Sequence, residues 1–272
     1  MNDNPFRYTR LNEGSKARTT DLAEILGSSD VSKETWLCVV PHDDDMIIGG
    51  GLWMHAGVRA GADVHLIVTT DGRMGYCCDD QRPDIIRIRA NECVESCARI
   101  GIDADHVHFL NYPDSRLAMH AGRYPSDESQ HALAGFAGLQ NAYTYWLRTL
   151  RPQRVFTPSP RDYHPDHQVV HNELQICLFH AGGDIWPELG EKIDVPEFYE
   201  MAIYCDYAGP PNLQLRCDET MFAAKLDGLA SYRSQLQIDL LVKKVKEAGP
   251  VEYLNHVQFE FYDATAYGPL FE

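Results

Sequence analysis

The chain has 272 residues, enough for one large α/β domain, or at most two small ones, with most of its apolar surface buried. Hydrophobic residues make up 44% and charged residues 24%, ordinary for a globular protein, but 40 Asp and Glu against 24 Lys and Arg leave a formal charge of −16. That surplus makes the chain a poor match to a nucleic-acid backbone or an anionic membrane, and suits neutral or cationic ligands instead. No stretch approaches the roughly 18 apolar residues needed to span a bilayer. The opening Met1-Asn2-Asp3-Asn4-Pro5-Phe6-Arg7 has no apolar core of a signal peptide, so a cytoplasmic protein is expected. Several of the eight cysteines lie in apolar segments (Cys38, Cys177, Cys205) and read as small buried hydrophobes, with no disulfide framework. Neither Cys77-Cys78 nor the Cys93/Cys97 pair has the spacing of a CxxC site.

Residues 1–33 are polar and hold one short amphipathic piece, Asp21 to Gly27, ending in a glycine suited to a helix C-cap; they read as an N-terminal arm laid over the core. From Trp36 the pattern alternates: a strand over 36–40, a helix over roughly 46–60 closed by Gly61, and a strand over 64–69. Such alternation predicts βαβ units and a parallel sheet with right-handed crossovers. A helix over 84–100, a strand over 107–110, a helix over 139–150, a strand over 154–157 and a helix over 168–179 continue it. The last third is less regular, with a strand over 198–204, helices over 220–232 and 240–247, and an alternating tail over 257–262. The fold class expected is α/β, a Rossmann-like, mostly parallel sheet flanked by helices. It forms one domain over 1–272, with its core at 36–180 and a C-terminal elaboration at 181–272.

Two segments place His and Asp directly after a predicted strand: His42-Asp43-Asp44-Asp45 and His164-Pro165-Asp166-His167. In an open α/β sheet ligands bind beyond the carboxyl ends of the strands, so both segments face one edge. One imidazole and three carboxylates packed as closely as in the first segment repel one another unless something positive holds them, and a divalent metal is the simplest candidate. Simpler roles exist for the second. Pro165 and Asp166 suit a capped helix start, and His167 with His171, one turn on, is a rival ligand pair. Gly49-Gly50-Gly51 lacks the GxGxxG spacing of a dinucleotide site, and the acidic cluster before it would repel a pyrophosphate.

The two segments resemble the motifs of the LmbE-like, or PIG-L, zinc-dependent N-deacetylases, His-Pro-Asp-Asp-Glu and His-Pro-Asp-His. Here the first stands as His42-Asp43-Asp44-Asp45-Met46 and the second is intact. Arg89-Ala90-Asn91-Glu92 with Ile100-Gly101, Asn111-Tyr112-Pro113-Asp114, and Lys225 with Ser234-Gln235 resemble further elements of that family in the same order. The resemblance implies one Zn2+ held by His42, Asp45 and His167, Asp44 as general base, and His164 as donor to an oxyanion or to the leaving amine. It also suggests Arg89 and Asp114 as substrate contacts. Two neutral imidazoles and one carboxylate leave a position for water, as catalytic zinc requires, although another divalent metal fits such donors too.

Asp43 replaces the motif's proline and Met46 its glutamate; loss of a glutamate that orients a ligand costs roughly 10–100-fold in metal affinity or activity. Arg89 and Glu92 have a plainer reading, as a pair along an exposed helix face. Tyr112, Tyr163 and Trp53 are candidates to stack on a sugar ring, or are core. The reaction implied is removal of an acetyl group from the nitrogen of a 2-acetamido sugar or small sugar conjugate. The alternative is a non-catalytic descendant that binds sugar or metal. The partner expected is a small molecule, with neither nucleic acid nor membrane, and a homo-oligomer is left open.

Overall fold

The computed structural model describes residues 4–12, 14–126, 130–259 and 262–271. It opens with strands β1 (Phe6–Asn12) and β2 (Ser15–Thr19), paired antiparallel. Helix α1 (Leu22–Leu26) follows, capped by Asp21, whose side chain accepts the amides of Ala23 and Glu24. The segment read as an arm therefore adds two strands to the sheet. Phe6 and Tyr8 are buried between exposed or half-buried polar neighbours, an alternation too short and too polar at its outer end to register as a strand.

Strand β3 (Thr35–Val40) is the centre of the molecule. From Trp36 to Val40 no residue is more than 1% exposed, because both faces of the strand are covered. Trp36, Cys38 and Val40 belong to one core cluster and Leu37 and Val39 to the other.

The single helix expected after it is two, α2 (Asp45–Gly49) and α3 (Gly51–Arg59), broken at Gly50. The break is held by a buried ion pair from the far end of the chain. Glu252 accepts the Leu52 amide at 3.0 and 2.9 Å and the Trp53 amide at 3.2 Å, while Lys225 Nζ donates to Ile48 O at 2.8 Å and to Glu252 at 2.5 Å. The amides freed at the start of α3 and a carbonyl at the end of α2 are thus both paired. The glycine run serves close packing: a Cβ on Gly50 would lie 2.4 Å from Met201 Sδ, and one on Gly49 2.9 Å from Ala202 O.

The chain continues through β4 (Asp63–Thr70), α4 (Ile85–Arg99) and β5 (Val107–Tyr112), then a two-residue pairing of β6 (Tyr124–Pro125) with β7 (Phe136–Ala137). Next come α5 (Leu139–Leu150), β8 (Arg154–Pro158), α6 (Pro165–Gly182) and β9 (Glu197–Met201). Strand β10 (Leu213–Cys217), helices α7 (Glu219–Leu229) and α8 (Ile238–Ala248), and β11 (Val251–Val257) complete it. The strand expected over 257–262 lies earlier, with only Val257 of it in β11; 258 and 259 are not in a strand, and 260 and 261 lie outside the described residues.

Among the described residues the large sheet has nine strands in the order β2-β1-β10-β11-β9-β8-β3-β4-β5. The run β9-β8-β3-β4-β5 is parallel throughout, and β2, β1, β10 and β11 extend it antiparallel. The α/β class with a parallel core flanked by helices is as the alternation predicts. Helices α2, α3, α4 and α7 supply one core cluster and α5 and α6 the other, on opposite faces. From β3 the chain winds outward through β4 and β5, then returns to place β8 on the other side, so the order reverses between β3 and β8. That is where an open sheet leaves a crevice. No helix among the described residues is long and apolar enough to cross a membrane.

Candidate active site

The loop after β3 enters the crevice and is held from both sides. Thr70 donates to Pro41 O through its amide and its hydroxyl, at 2.9 and 2.8 Å, and the His42 amide donates to Asp45 Oδ2 at 2.8 Å. This leaves His42, Asp43, Asp44 and Asp45 at most 7% exposed. Four ionisable side chains are buried at the end of one strand, so each needs a partner.

His42 Nδ1 lies 3.2 Å from Asp45 Oδ2 and 3.3 Å from His167 Nε2, and His167 Nε2 lies 3.3 Å from Asp45 Oδ1. Ligands about 2.0–2.1 Å from a tetrahedral ion stand about 3.3 Å from one another, the separation of the two imidazole nitrogens and of each from its nearer Asp45 oxygen, so this triangle of side chains has the dimensions of a single-ion centre. Asp45 Oδ1 is buried with no hydrogen bond among the described residues, and a cation would satisfy it. The donor set, two imidazoles and a carboxylate, suits zinc.

Helix α6 delivers the second half of the centre. Pro165 takes its first position and His164 caps it, Nδ1 accepting the Asp166 amide at 3.3 Å. The His164 ring stands 4.6 Å from that of His42 and 5.1 Å from that of His167, and the three imidazoles form a further possible ligand group. Charge separates their behaviour. Burial pulls the His42 and His167 imidazoles down, but Asp45 and the neighbouring carboxylates override it, holding His42 well above its ordinary value and His167 up at about 9. Burial and the two neighbouring imidazoles lower His164, favouring its neutral form.

Outside this triangle lies a ring of carboxylates, of which Asp114 and Asp166 belong to the quoted motifs and Asp162 does not. Asp162 Oδ2 is 3.1 Å from His167 Nδ1, while Asp114 Oδ1 and Asp166 Oδ2 are 3.4 and 3.7 Å from His42 Nε2. An imidazole that binds metal through one nitrogen is oriented by an acceptor on the other, and Asp162 and Asp114 stand at ion-pair distance from those nitrogens of His167 and His42. Asp166 also accepts the amides of Ser115 and Leu117, so it does more than complement a helix dipole. Asp162 had one available signal: a ligand imidazole needs such an acceptor, and Asp162 lies in the same loop, five residues before His167. His171 turns elsewhere, with Nε2 3.0 Å from Glu200 Oε1.

Arg89 and Glu92 are not an exposed pair. Arg89 is buried, and its Nε donates to both oxygens of Asp43, at 3.0 and 2.9 Å; Nη2 reaches Asp44 Oδ1 at 3.3 Å. Glu92 accepts from the Ser234 amide and hydroxyl at 2.9 and 2.7 Å. The residue standing for the motif's proline thus grips the arginine, and Met46, standing for its glutamate, is buried in the apolar core. Asp44, Arg89, Asp114 and His164 line one cavity of about 660 Å³ with His42. Asp114, which burial alone would raise, is brought down to about 2 by His42 and by the Met74 amide. Trp53 and Tyr112 are core residues and Tyr163 is exposed. The aromatic ring over the site is Tyr204, stacked 5.3 Å from His167 on the loop after β9.

Fold and site together define the class: an open, doubly wound α/β protein with a candidate single-metal centre at its switch point. Residues 37–177 match the family described as PIG-L: GlcNAc-PI de-N-acetylase. The chain belongs to that family. It is 30% identical over 232 residues to 1D-myo-inositol 2-acetamido-2-deoxy-alpha-D-glucopyranoside deacetylase 2 of Saccharopolyspora erythraea, covering 75% of this chain and 84% of that protein. Its fold is similar to that of N,N'-diacetylchitobiose deacetylase from Pyrococcus horikoshii, with TM-score 0.66, 22% identity, and 92% and 94% of the two chains covered. GalB, the 4-carboxy-2-hydroxymuconate hydratase from Pseudomonas putida KT2440, has the same fold at TM-score 0.62 and 15% identity, with 85% of this chain and 98% of GalB covered. One scaffold therefore carries hydrolysis in one protein and hydration in another, and the site has to decide between them.

Proposed function

We propose that this chain removes the acetyl group from the amino nitrogen of a 2-acetamido sugar or small sugar conjugate, using one Zn2+ held by His42, Asp45 and His167. The observation that carries this reading is the pair of imidazole nitrogens 3.3 Å apart, each 3.2–3.3 Å from one oxygen of the Asp45 carboxylate, beside a cavity shared by Asp44 and His164. The relatives support the substrate class, since the Saccharopolyspora protein and the Pyrococcus protein are both named for sugars that carry acetylated nitrogen.

When bound, zinc supplies Lewis acidity and a water acidic enough to lose a proton near neutral pH. Asp44, held by Arg89 through Oδ1, takes that proton as the water attacks the amide carbonyl. His164 accepts a backbone amide at Nδ1, which leaves the proton of its neutral ring on Nε2. From there it hydrogen-bonds the carbonyl oxygen as charge develops, and Asp44 returns the proton it took to the departing amine nitrogen as the C–N bond breaks. Asp114 and Arg89, on the same wall, meet the sugar's hydroxyls.

The test is acetate release from a panel of N-acetylated sugars by metal-stripped protein, before and after Zn2+ is restored. Activity returns with the metal; Asp44→Asn keeps the metal and loses about 10²–10⁴-fold in rate, whereas His42→Ala loses both. No acetate release from any member by the zinc-loaded protein, with sugar binding retained, would make it a binding protein instead.

A further inference from the structure

Strand β4 carries a second group of ligand-type side chains at its opposite end. Asp63 opens the strand, His65 follows on the same face, and the turn leading into β5 sets His106 over them, with the rings of His65 and His106 4.3 Å apart. His65 Nε2 lies 3.2 Å from Asp63 Oδ2, and His106 Nδ1 lies 3.5 Å from Asp63 Oδ1. One donor atom from each residue falls within 4.8 Å of the other two. His65 is five residues before Thr70, about 16 Å along the strand, so the group shares nothing with the candidate centre at the far edge.

Behind it stands a supporting layer. His65 Nδ1 is 3.1 Å from His108 Nε2 on β5, and the His108 ring packs 4.3 Å from the ring of Trp146. A ligand imidazole needs this arrangement, one nitrogen toward the ion and the other's proton given to a fixed acceptor. The front is open, since the side chains of Asp63 and His106 are 52% and 31% exposed while that of His65 is 10% exposed. An ion and its waters have access there.

We propose that Asp63, His65 and His106 form a second divalent-metal site, of the imidazole and carboxylate type that takes Zn2+, with His108 as the positioning residue for His65. Without an ion, His108 Nε2–H donates to His65 Nδ1 and His65 Nε2–H donates to Asp63. With one, both tautomers invert: His65 Nδ1–H donates to His108 and Nε2 is free to ligate. The rings need only small shifts, because each imidazole nitrogen already lies 3.2 or 3.5 Å from one of the two Asp63 oxygens and one donor atom from each residue is within 4.8 Å of the others. The ion ties β5, the edge strand of the sheet, to its neighbour β4.

The experiment is Zn2+ titration of metal-stripped protein by calorimetry, with metal content after desalting, for wild type, His42→Ala and the Asp63→Asn/His106→Gln pair. Both substituted side chains of the pair are partly exposed, so folding is not at stake. The pair is expected to bind one ion fewer than wild type, or to bind it at least about tenfold more weakly, and Zn2+ is expected to raise the Tm of His42→Ala but not of His42→Ala carrying the pair. His108→Ala weakens the same ion by about 10–100-fold and leaves the other untouched. An ion count and affinity unchanged by the pair overturn the proposal. A count unchanged by His42→Ala would overturn the candidate centre instead, so the two failures are distinguishable.

Discussion

Arg89 grips the Asp43 carboxylate with two donors, Nε, whose one N–H is shared between the oxygens at 3.0 and 2.9 Å, and Nη2, with both side chains about 95% removed from solvent. Burial, opposed by Arg89 and reinforced by the adjacent Asp44, pushes the Asp43 carboxyl up to about 6. Its backbone carbonyl accepts the Tyr232 hydroxyl at 2.5 Å. Asp43 therefore replaces the rigidity of a proline with a buried ion pair, and Arg89, pinned by it, reaches Asp44.

Asp43→Ala strands the guanidinium without its carboxylate and is expected to cost about 3–5 kcal/mol in urea unfolding. Asp43→Ala/Arg89→Met should recover much of that loss. Simple additivity of the two single variants would show the pair to be uncoupled.

Asp162 acts on His167 from behind. Asp162→Asn keeps the turn's shape but removes the charge 3.1 Å from Nδ1, and zinc affinity at the candidate centre is expected to fall by about 10-fold or more in competition with a chelator. The Asp166 amide remains bonded to His164, so α6 should be intact by circular dichroism. Unchanged affinity would leave Asp162 with only its role in the turn.

Glu252 holds the break between α2 and α3. Glu252→Ala leaves Lys225 buried and uncompensated and the Leu52 and Trp53 amides unpaired, a loss of about 3–5 kcal/mol. Hydrogen exchange should report it locally, with these two amides accelerating more than those in the body of α3. Uniform acceleration would mean that global stability alone had fallen.

Glu34 gives the pH dependence its clearest marker away from the site. Burial raises its carboxyl, but Arg154, at 2.8 and 3.0 Å, and the Trp36 indole outweigh it and leave the group below its ordinary 4.5. A depressed carboxylate stabilises the fold above its unfolded value and loses that contribution as pH falls through the folded one. Acidification below about pH 4.5 should therefore destabilise the wild type more than Glu34→Gln, read as the midpoint of urea unfolding at successive pH values. Parallel curves for the two proteins would remove Glu34 from the acid response.

The parallel core was legible in the residues themselves, as were the two segments that form the candidate site. Trp36 to Val40 is an unbroken apolar run because both its faces are covered, and His42 and Asp45 follow it as His164 and His167 follow the shorter β8, where a strand's end is the natural place for chemistry. Composition and local periodicity carry that much, since each reports on neighbours a few residues away. Other features belong to the tertiary structure alone. Phe6 and Tyr8 become a strand because β10, more than 200 residues later, pairs with them. Asp43 meets Arg89 across 46 positions, and Glu252 meets Leu52 across 200. No local pattern specifies such partners, because a buried charge is defined by whatever the sheet's register brings within hydrogen-bonding reach. The candidate ligands His42, Asp45 and His167 came from strand-end placement together with a family resemblance, whereas the contacts of Asp162 with His167 and of Arg89 with Asp43 and Asp44 were decided by packing around β3.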